Sequence, residues 1–178
     1  MVILMLYHAK HGRISRRVAL LGVFLAYAMI ISLIERMIPL GFTIPGIRLG
    51  LANVAVLLAL YLFPISQALI LMVLKCLLAA LLSGSPASLL YSLSGSILSF
   101  LVMAALISLF TPAKVSPLGV SIAGAAFHNT GQILMACLLL ESWLMLAYLP
   151  VLLLVGTVTG TIVGVLVKYL QPHIKAYM

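Results

Sequence analysis

The chain is built from long apolar runs that are separated by short breaks rich in proline, glycine or charge. Because lipid cannot hydrogen-bond the backbone, apolar runs of about 20 residues predict helices that cross a membrane. The pattern therefore predicts an all-α integral membrane bundle of about six transmembrane helices, forming a single domain over residues 1–178. The predicted helices cover about 17–35, 48–63, 65–82, 89–110, 118–140 and 142–167. Whether the last helix continues through Pro150 is left open, because an internal proline removes a backbone donor.

Composition agrees with a membrane environment. Hydrophobic residues make up 65% of the chain and charged residues 7%, and the mean hydropathy is +1.34. A soluble domain has an apolar share nearer half. The net charge of +8 is therefore interpreted as charge at the membrane surface. Membrane lipid is expected as a partner, and nucleic acid is not.

The basic residues predict the orientation of the bundle. With six spans, most of them fall on the side that carries both termini, and this excess assigns that side to the cytoplasm of a multi-pass cell-membrane protein. The residues on this side are Lys10, Arg13, Arg16, Arg17, Lys114, Lys168 and Lys175. The longest outer connection, residues 36–48, is apolar and rich in proline and glycine. It is interpreted either as a lid over a site or as an ordinary interfacial connector.

Lys75 is the ionisable residue that lies deepest in an apolar run. An ionised side chain near the bilayer centre costs at least ~2.5 kcal/mol on insertion scales, so it requires a partner, a wet cavity or a ligand. Lys75 is therefore a candidate anion-binding group that faces an internal cavity. The alternative is a lysine that reaches the outer interface or is paired for structural reasons.

Arg48 and Asn53 are the candidate companions of Lys75. Arg48 begins the predicted second helix at the outer face, and Asn53 follows just over one turn deeper. Together with Lys75 they would form a cationic pocket that opens outward. For Arg48 an interfacial anchor to lipid phosphate is an equally open interpretation.

The predicted fifth helix carries the densest polar cluster, G-A-A-F-H-N-T-G-Q. At 100° per residue, His128 and Gln132 share one face, and Gly124 and Gly131 lie near it. Such a face is not expected to point toward lipid. It is interpreted as a substrate-binding face, with interhelical hydrogen bonding as the alternative.

Small residues recur at four-residue spacing, as in Gly22 with Ala26 on the first helix and Gly156 with Gly160 and Gly164 on the last. Such spacing allows close helix approach. Most of these residues are expected to serve internal packing, but the pair on helix 1 is also a candidate surface for docking a second membrane subunit.

No catalytic constellation is recognisable in the sequence. The only acids are Glu35 and Glu141, so no acidic cluster is available to hold Mg²⁺ against a diphosphate, and the histidines lack metal-ligand spacing. We therefore expect neither a metal nor a cofactor, and enzymatic activity stays an open but disfavoured interpretation.

Four segments together resemble one known family. They are I-P-G-I-R-L-G-L-A-N-V (residues 44–54), the basic residue and glycine turn of 75–84, Y-S-L-S-G-S-I-L-S (91–99) and G-A-A-F-H-N-T-G-Q (124–132). They resemble the Gx transporter family, which is also labelled heptaprenyl diphosphate synthase component I. The resemblance covers most of the chain from Leu33 to about Leu140.

That family is in turn similar to the substrate-binding S components of energy-coupling factor (ECF) vitamin transporters. The resemblance implies six helices, a small-molecule substrate bound beneath the outer loop, and an ECF-type coupling protein with ATPase subunits as partners. It implies a pocket lined by Arg48, Asn53, Lys75, His128, Asn129 and Gln132, and a docking face that includes Gly22 and Ala26. The synthase label implies instead a non-catalytic accessory subunit that helps a partner make a prenyl diphosphate for menaquinone.

Overall fold

The computed structural model describes residues 2–37, 48–110 and 115–176. Most of the predicted lid, residues 36–48, lies outside this part of the chain, as does Lys114. The described residues form α-helices and one 3₁₀ helix, without a strand, so the predicted all-α membrane bundle is confirmed. The α-helices are α1 (Val2–Met37), α2 (Asn53–Leu62), α3 (Ile65–Ser83), α4 (Pro86–Leu109), α5 (Pro117–Leu139) and α6 (Leu149–Ala176).

In the part of the chain that the structure describes, five segments are long and apolar enough to cross a membrane: Ser15–Glu35, Ile65–Ser83, Pro86–Leu109, Pro117–Leu139 and Trp143–Ala176. They make the protein a multi-pass membrane protein. Helix α1 continues well before its apolar segment, as far as Val2, because no proline interrupts this stretch. At 1.5 Å per residue it is about 54 Å long, which exceeds the apolar thickness of a bilayer.

Helix α2 differs from the predicted helix 48–63. Its ten residues span only about 15 Å, roughly half of a bilayer core. Eight of the ten are buried, Asn53 through Leu60, and the helix contacts α1, α3, α4 and α6. It is therefore a half-length helix enclosed by the others. The preceding residues, Arg48 to Ala52, are not helical, and irregular backbone at membrane depth is tolerated where protein surrounds it.

Serine and proline residues mark where α4 and α5 begin, and a proline lies at the start of α6. Ser85 caps α4 by accepting a hydrogen bond from Ser88 N (3.4 Å), and Ser116 caps α5 by accepting from Gly119 N (3.2 Å). In both helices the next residue is a proline, whose fixed φ suits the first turn. Pro150 likewise lies in the first turn of α6, and a 3₁₀ helix, Trp143–Tyr148, precedes it. The predicted last helix is thus not one continuous α-helix.

Candidate functional site

The candidate site lies where α2 begins, between α3, α4 and α5. Gly50 precedes this helix with φ +82°, a conformation that L side chains rarely adopt. A Cβ atom there would lie 3.1 Å from His128 Cδ2 and 3.2 Å from Asn53 Nδ2. The glycine therefore lets the backbone turn into α2 in direct contact with the polar face of α5.

Lys75 lies in the interior of the bundle, with 4% of its surface exposed. Its Nζ donates to Asn53 Oδ1 on α2 (2.6 Å) and to Ser96 Oγ on α4 (3.3 Å). Both acceptors are uncharged, so these bonds satisfy the ammonium without neutralising it. The lysine joins three helices at the depth where α2 starts.

Arg48 is half-buried and holds the non-helical segment against the bundle. Its Nη2 donates to Ser88 Oγ (2.9 Å) and to the Ala79 carbonyl oxygen (3.3 Å). Its backbone N–H donates to Gln132 Oε1 (3.2 Å). Arg48 therefore contacts α3, α4 and α5, which is more than an anchor to lipid phosphate would require.

His128 and Gln132 share a face of α5, as their spacing predicts, and they are in contact. His128 Nε2 and Gln132 Nε2 are 2.8 Å apart, and both side chains are buried. The His128 ring also lies within hydrogen-bonding reach of the Gly95 backbone on α4. Helix α4 approaches this face closely at Gly95, where a Cβ would lie 2.7 Å from the His128 carbonyl oxygen.

Asn129 is placed differently from the other five predicted site residues. Its Nδ2 donates to the Leu152 carbonyl oxygen of α6 (2.6 Å), and a Cβ at Gly156 would lie 2.5 Å from that same nitrogen. The side chain thus connects α5 to α6. The structure brings together Arg48, Asn53, Lys75, His128 and Gln132, and it does not bring Asn129 to them.

Glu35 is a buried acid at the same place and was not among the predicted site residues. It is 5% exposed, and its Oε1 accepts a hydrogen bond from Leu51 N. The Ala52 backbone also bonds to this carboxylate, and Lys75 and Arg48 lie close enough to interact with it electrostatically. A signal was present in the sequence: Glu35 is one of only two acids and ends an apolar helix.

A small cavity adjoins Gly50 and Asn53. Its volume is about 10 Å³, roughly the volume that one water molecule needs. Its polar lining consists of Asn53, Ser99, Ser121 and Thr159, and Ser99 Oγ has no hydrogen-bond partner among the described residues. Thr159 was not predicted as a site residue, yet its Oγ1 lies 3.4 Å from the Leu49 carbonyl oxygen of the same segment and 3.2 Å from the Gly156 carbonyl oxygen of its own helix, and its one proton can be donated to either.

Gly22 and Ala26, the predicted docking pair, are both exposed on α1. A Cβ at Gly22 would meet no atom within 4 Å. Gly22 lines an apolar groove of about 290 Å³ between α1 and α3, together with Val18, Leu21, Leu25, Gln67, Ile70, Leu71 and Leu74. Among the described residues, the pair therefore lies on an open face of the bundle.

Comparison with known proteins places the chain in a family. The sequence model of heptaprenyl diphosphate synthase component I matches residues 24–170, which includes α2 to α5 and most of α6. No curated protein and no solved structure gives a significant match. The match extends beyond the segments that carried the resemblance and includes every predicted site residue except Gly22. The chain belongs to the heptaprenyl diphosphate synthase component I family.

Proposed function

We propose that this protein is the membrane-embedded substrate-binding subunit of a small-molecule uptake transporter, and that it binds an anionic or amphipathic substrate. The observation that carries the proposal is the excess of positive charge inside the bundle. Lys75 and Arg48 bond to uncharged acceptors around the start of α2, and Glu35 is the one acid beside them among the described residues. The group has a formal charge of +1.

Keeping this charge in the bundle costs free energy unless hydrogen bonds, nearby charge or a ligand compensate it. Ionisable residues inside a membrane domain commonly mark the path or the site of a substrate. Helix α2 adds to the attraction, because its N-terminus carries the positive end of the helix dipole and lies inside the bundle. Half-length helices of this kind direct their N-termini at anionic substrate groups in several transporter folds.

The surroundings of the cations favour an amphipathic substrate. The residues of α2 that follow Asn53 are apolar as far as Leu60, and buried leucines, valines and alanines surround the helix. A substrate with an anionic end and a greasy body would match a cationic centre within such walls. Amphipathic molecules of this kind occur among vitamins, flavins, quinones and prenyl precursors.

We further propose that the protein lies in the cell membrane with both termini in the cytoplasm and takes its substrate from the outer face. Energy would come from an ECF-type coupling protein and its ATPase subunits, and the exposed pair Gly22 and Ala26 would dock the coupling protein. The open groove beside Gly22 supports this, because a neighbouring transmembrane helix packs most closely against small residues.

The family name favours a second candidate, a non-catalytic accessory subunit of heptaprenyl diphosphate synthase in menaquinone biosynthesis. The same cationic centre would then hold the diphosphate of a prenyl chain for a partner enzyme. The two candidates differ in one measurement. An accessory subunit raises the rate of prenyl diphosphate synthesis when it is added to the partner, whereas a transport subunit leaves that rate unchanged.

The test of the proposed site measures binding of farnesyl diphosphate, an amphipathic anion, to the purified protein in lipid nanodiscs. We expect Lys75→Met to weaken binding by about tenfold or more, because a charge-assisted hydrogen bond is worth roughly 1.5–3 kcal/mol. Lys75→Arg should retain part of the affinity. Neutral farnesol should bind the wild type and Lys75→Met alike.

Lys168→Met is the matched control, because it removes the same charge from an exposed position on α6. It should leave binding unchanged. Arg48 is less suitable for this test, because its bonds to Ala79 and Ser88 hold the segment in place and its loss would also disturb the fold. Equal affinity of wild type and Lys75→Met for farnesyl diphosphate, or no binding to the wild type, would refute the proposed site.

A further inference from the structure

Glu35 completes the N-terminus of α2 from a different helix. Ala52, the residue that caps α2, has no side chain able to accept a hydrogen bond. The backbone N–H of Leu51 and the backbone of Ala52 bond instead to the Glu35 carboxylate at the end of α1. A carboxylate thus occupies the position at a helix start where an external anion would be bound.

The same carboxylate also faces the two cations that the proposed function assigns to the substrate. Glu35 is 5% exposed and Lys75 4%, so little water screens the charges from one another. A second anion brought to this position would be repelled by the carboxylate and would find the Leu51 and Ala52 donors occupied. Glu35 and an anionic substrate therefore compete for one set of partners.

We infer that Glu35 is a specificity-determining residue, whose carboxylate holds the place of the substrate's anionic group until the substrate displaces it. The inference rests on the proposed function and names the chemistry of that site. With the carboxylate displaced, Lys75 and Arg48 together present a charge of +2. A charge of +2 balances the negative charge of a phosphate or diphosphate more closely than it balances that of a single carboxylate.

Displacement would also change how α1 is held. The bond from Glu35 to Leu51 joins α1 to the start of α2, and Gly22 and Ala26 lie on the same helix, the former about 20 Å away along its axis. Loss of this bond would free the end of α1 from the site. Occupancy of the site would thereby be transmitted to the helix that carries the proposed docking pair.

The test compares farnesyl diphosphate binding by the wild type, Glu35→Gln and Lys75→Met in nanodiscs. The glutamine keeps an oxygen that accepts from Leu51 N but removes the competing charge. We expect Glu35→Gln to bind on the order of tenfold more tightly than the wild type, and farnesol to show no such difference. Circular dichroism melting of each variant checks that the fold is retained.

The two ways of failing are distinguishable. Weaker binding by Lys75→Met together with unchanged or weaker binding by Glu35→Gln would overturn the role of Glu35 and leave the proposed site standing. Equal binding by the wild type and Lys75→Met would overturn the proposed function itself, whatever Glu35→Gln does.

A second measurement uses the protein with Glu35 intact, so it does not depend on how well that variant folds. Spin labels at Leu33→Cys on α1 and Leu81→Cys on α3, both exposed positions, report the separation of the two helices. Saturating farnesyl diphosphate should shift or broaden the distribution of distances between the two labels. Farnesol, which lacks the diphosphate, should leave the distribution unchanged. An unchanged distribution at saturation would overturn the displacement.

Discussion

At the scale of single residues, part of the site was predictable because a buried charge requires partners. An ammonium deep in an apolar run requires acceptors, and Asn53 lies within hydrogen-bonding distance of Lys75 Nζ. Glu35 was missed because an acid at the end of an apolar helix has the same pattern as an ordinary surface charge. The family resemblance placed Asn129 in the pocket with His128, but adjacent residues on a helix point about 100° apart, and the Asn129 amide bonds to α6.

The bond between Asn53 and Lys75 gives a prediction for stability. Asn53→Ala should lower the free energy of unfolding by about 1–2 kcal/mol, because it leaves the buried ammonium with Ser96 as its remaining acceptor among the described residues. In the Lys75→Met background the same change should cost much less, because no ammonium then needs the acceptor. A double-mutant cycle from unfolding in one detergent measures the coupling. Additive effects of the two changes would show that the bond contributes nothing.

At the scale of elements, apolar runs located the helices but not the point at which each begins. Residues 48–52 have a composition that a transmembrane helix would accept, yet they are not helical. Gly50 at positive φ and the bonds of Arg48 to three helices hold them in another conformation. Hydropathy does not register such tertiary contacts. In the predicted last helix, residues 143–148 form a 3₁₀ helix and α6 begins only at Leu149. Pro150 has no backbone N–H and so cannot make the bond that a continuous α-helix would need at this point.

The crossing of α4 and α5 gives a prediction at this scale. A Cβ at Gly131 would lie 2.8 Å from both Gly95 Cα and the Ser94 carbonyl oxygen, which are backbone atoms that cannot move aside alone. Gly131→Ala should therefore lower the free energy of unfolding by about 1–3 kcal/mol. Reversible unfolding in detergent, followed by circular dichroism, measures the change.

Gly22→Ala is the matched control for this substitution. A Cβ at Gly22 meets open space, so alanine should leave the stability unchanged or raise it by up to about 1 kcal/mol through its higher helix propensity. If Gly131→Ala proved as stable as Gly22→Ala, α4 and α5 would not approach each other as closely as described at Gly131.

At the scale of the whole molecule, the sequence predicted a multi-pass all-α bundle because lipid leaves the backbone few alternatives. It did not predict that α2 is a half-length helix enclosed by the others, since a run of apolar residues looks the same in either place. The enclosure matters for function, because it places a helix N-terminus, two cations and one acid at a single point inside the bundle. The orientation of that point toward the outer face stays a prediction from the distribution of basic residues.

The central claim is that this internal cationic centre holds an anionic small molecule. Native mass spectrometry of the gently purified protein tests it most directly, because it needs no prior choice of substrate. We expect the wild type and Lys168→Met to carry the same small-molecule adduct, and Lys75→Met to have lost it. A wild type without an adduct, or an adduct of equal occupancy in Lys75→Met, would show that the cationic centre does not hold such a molecule.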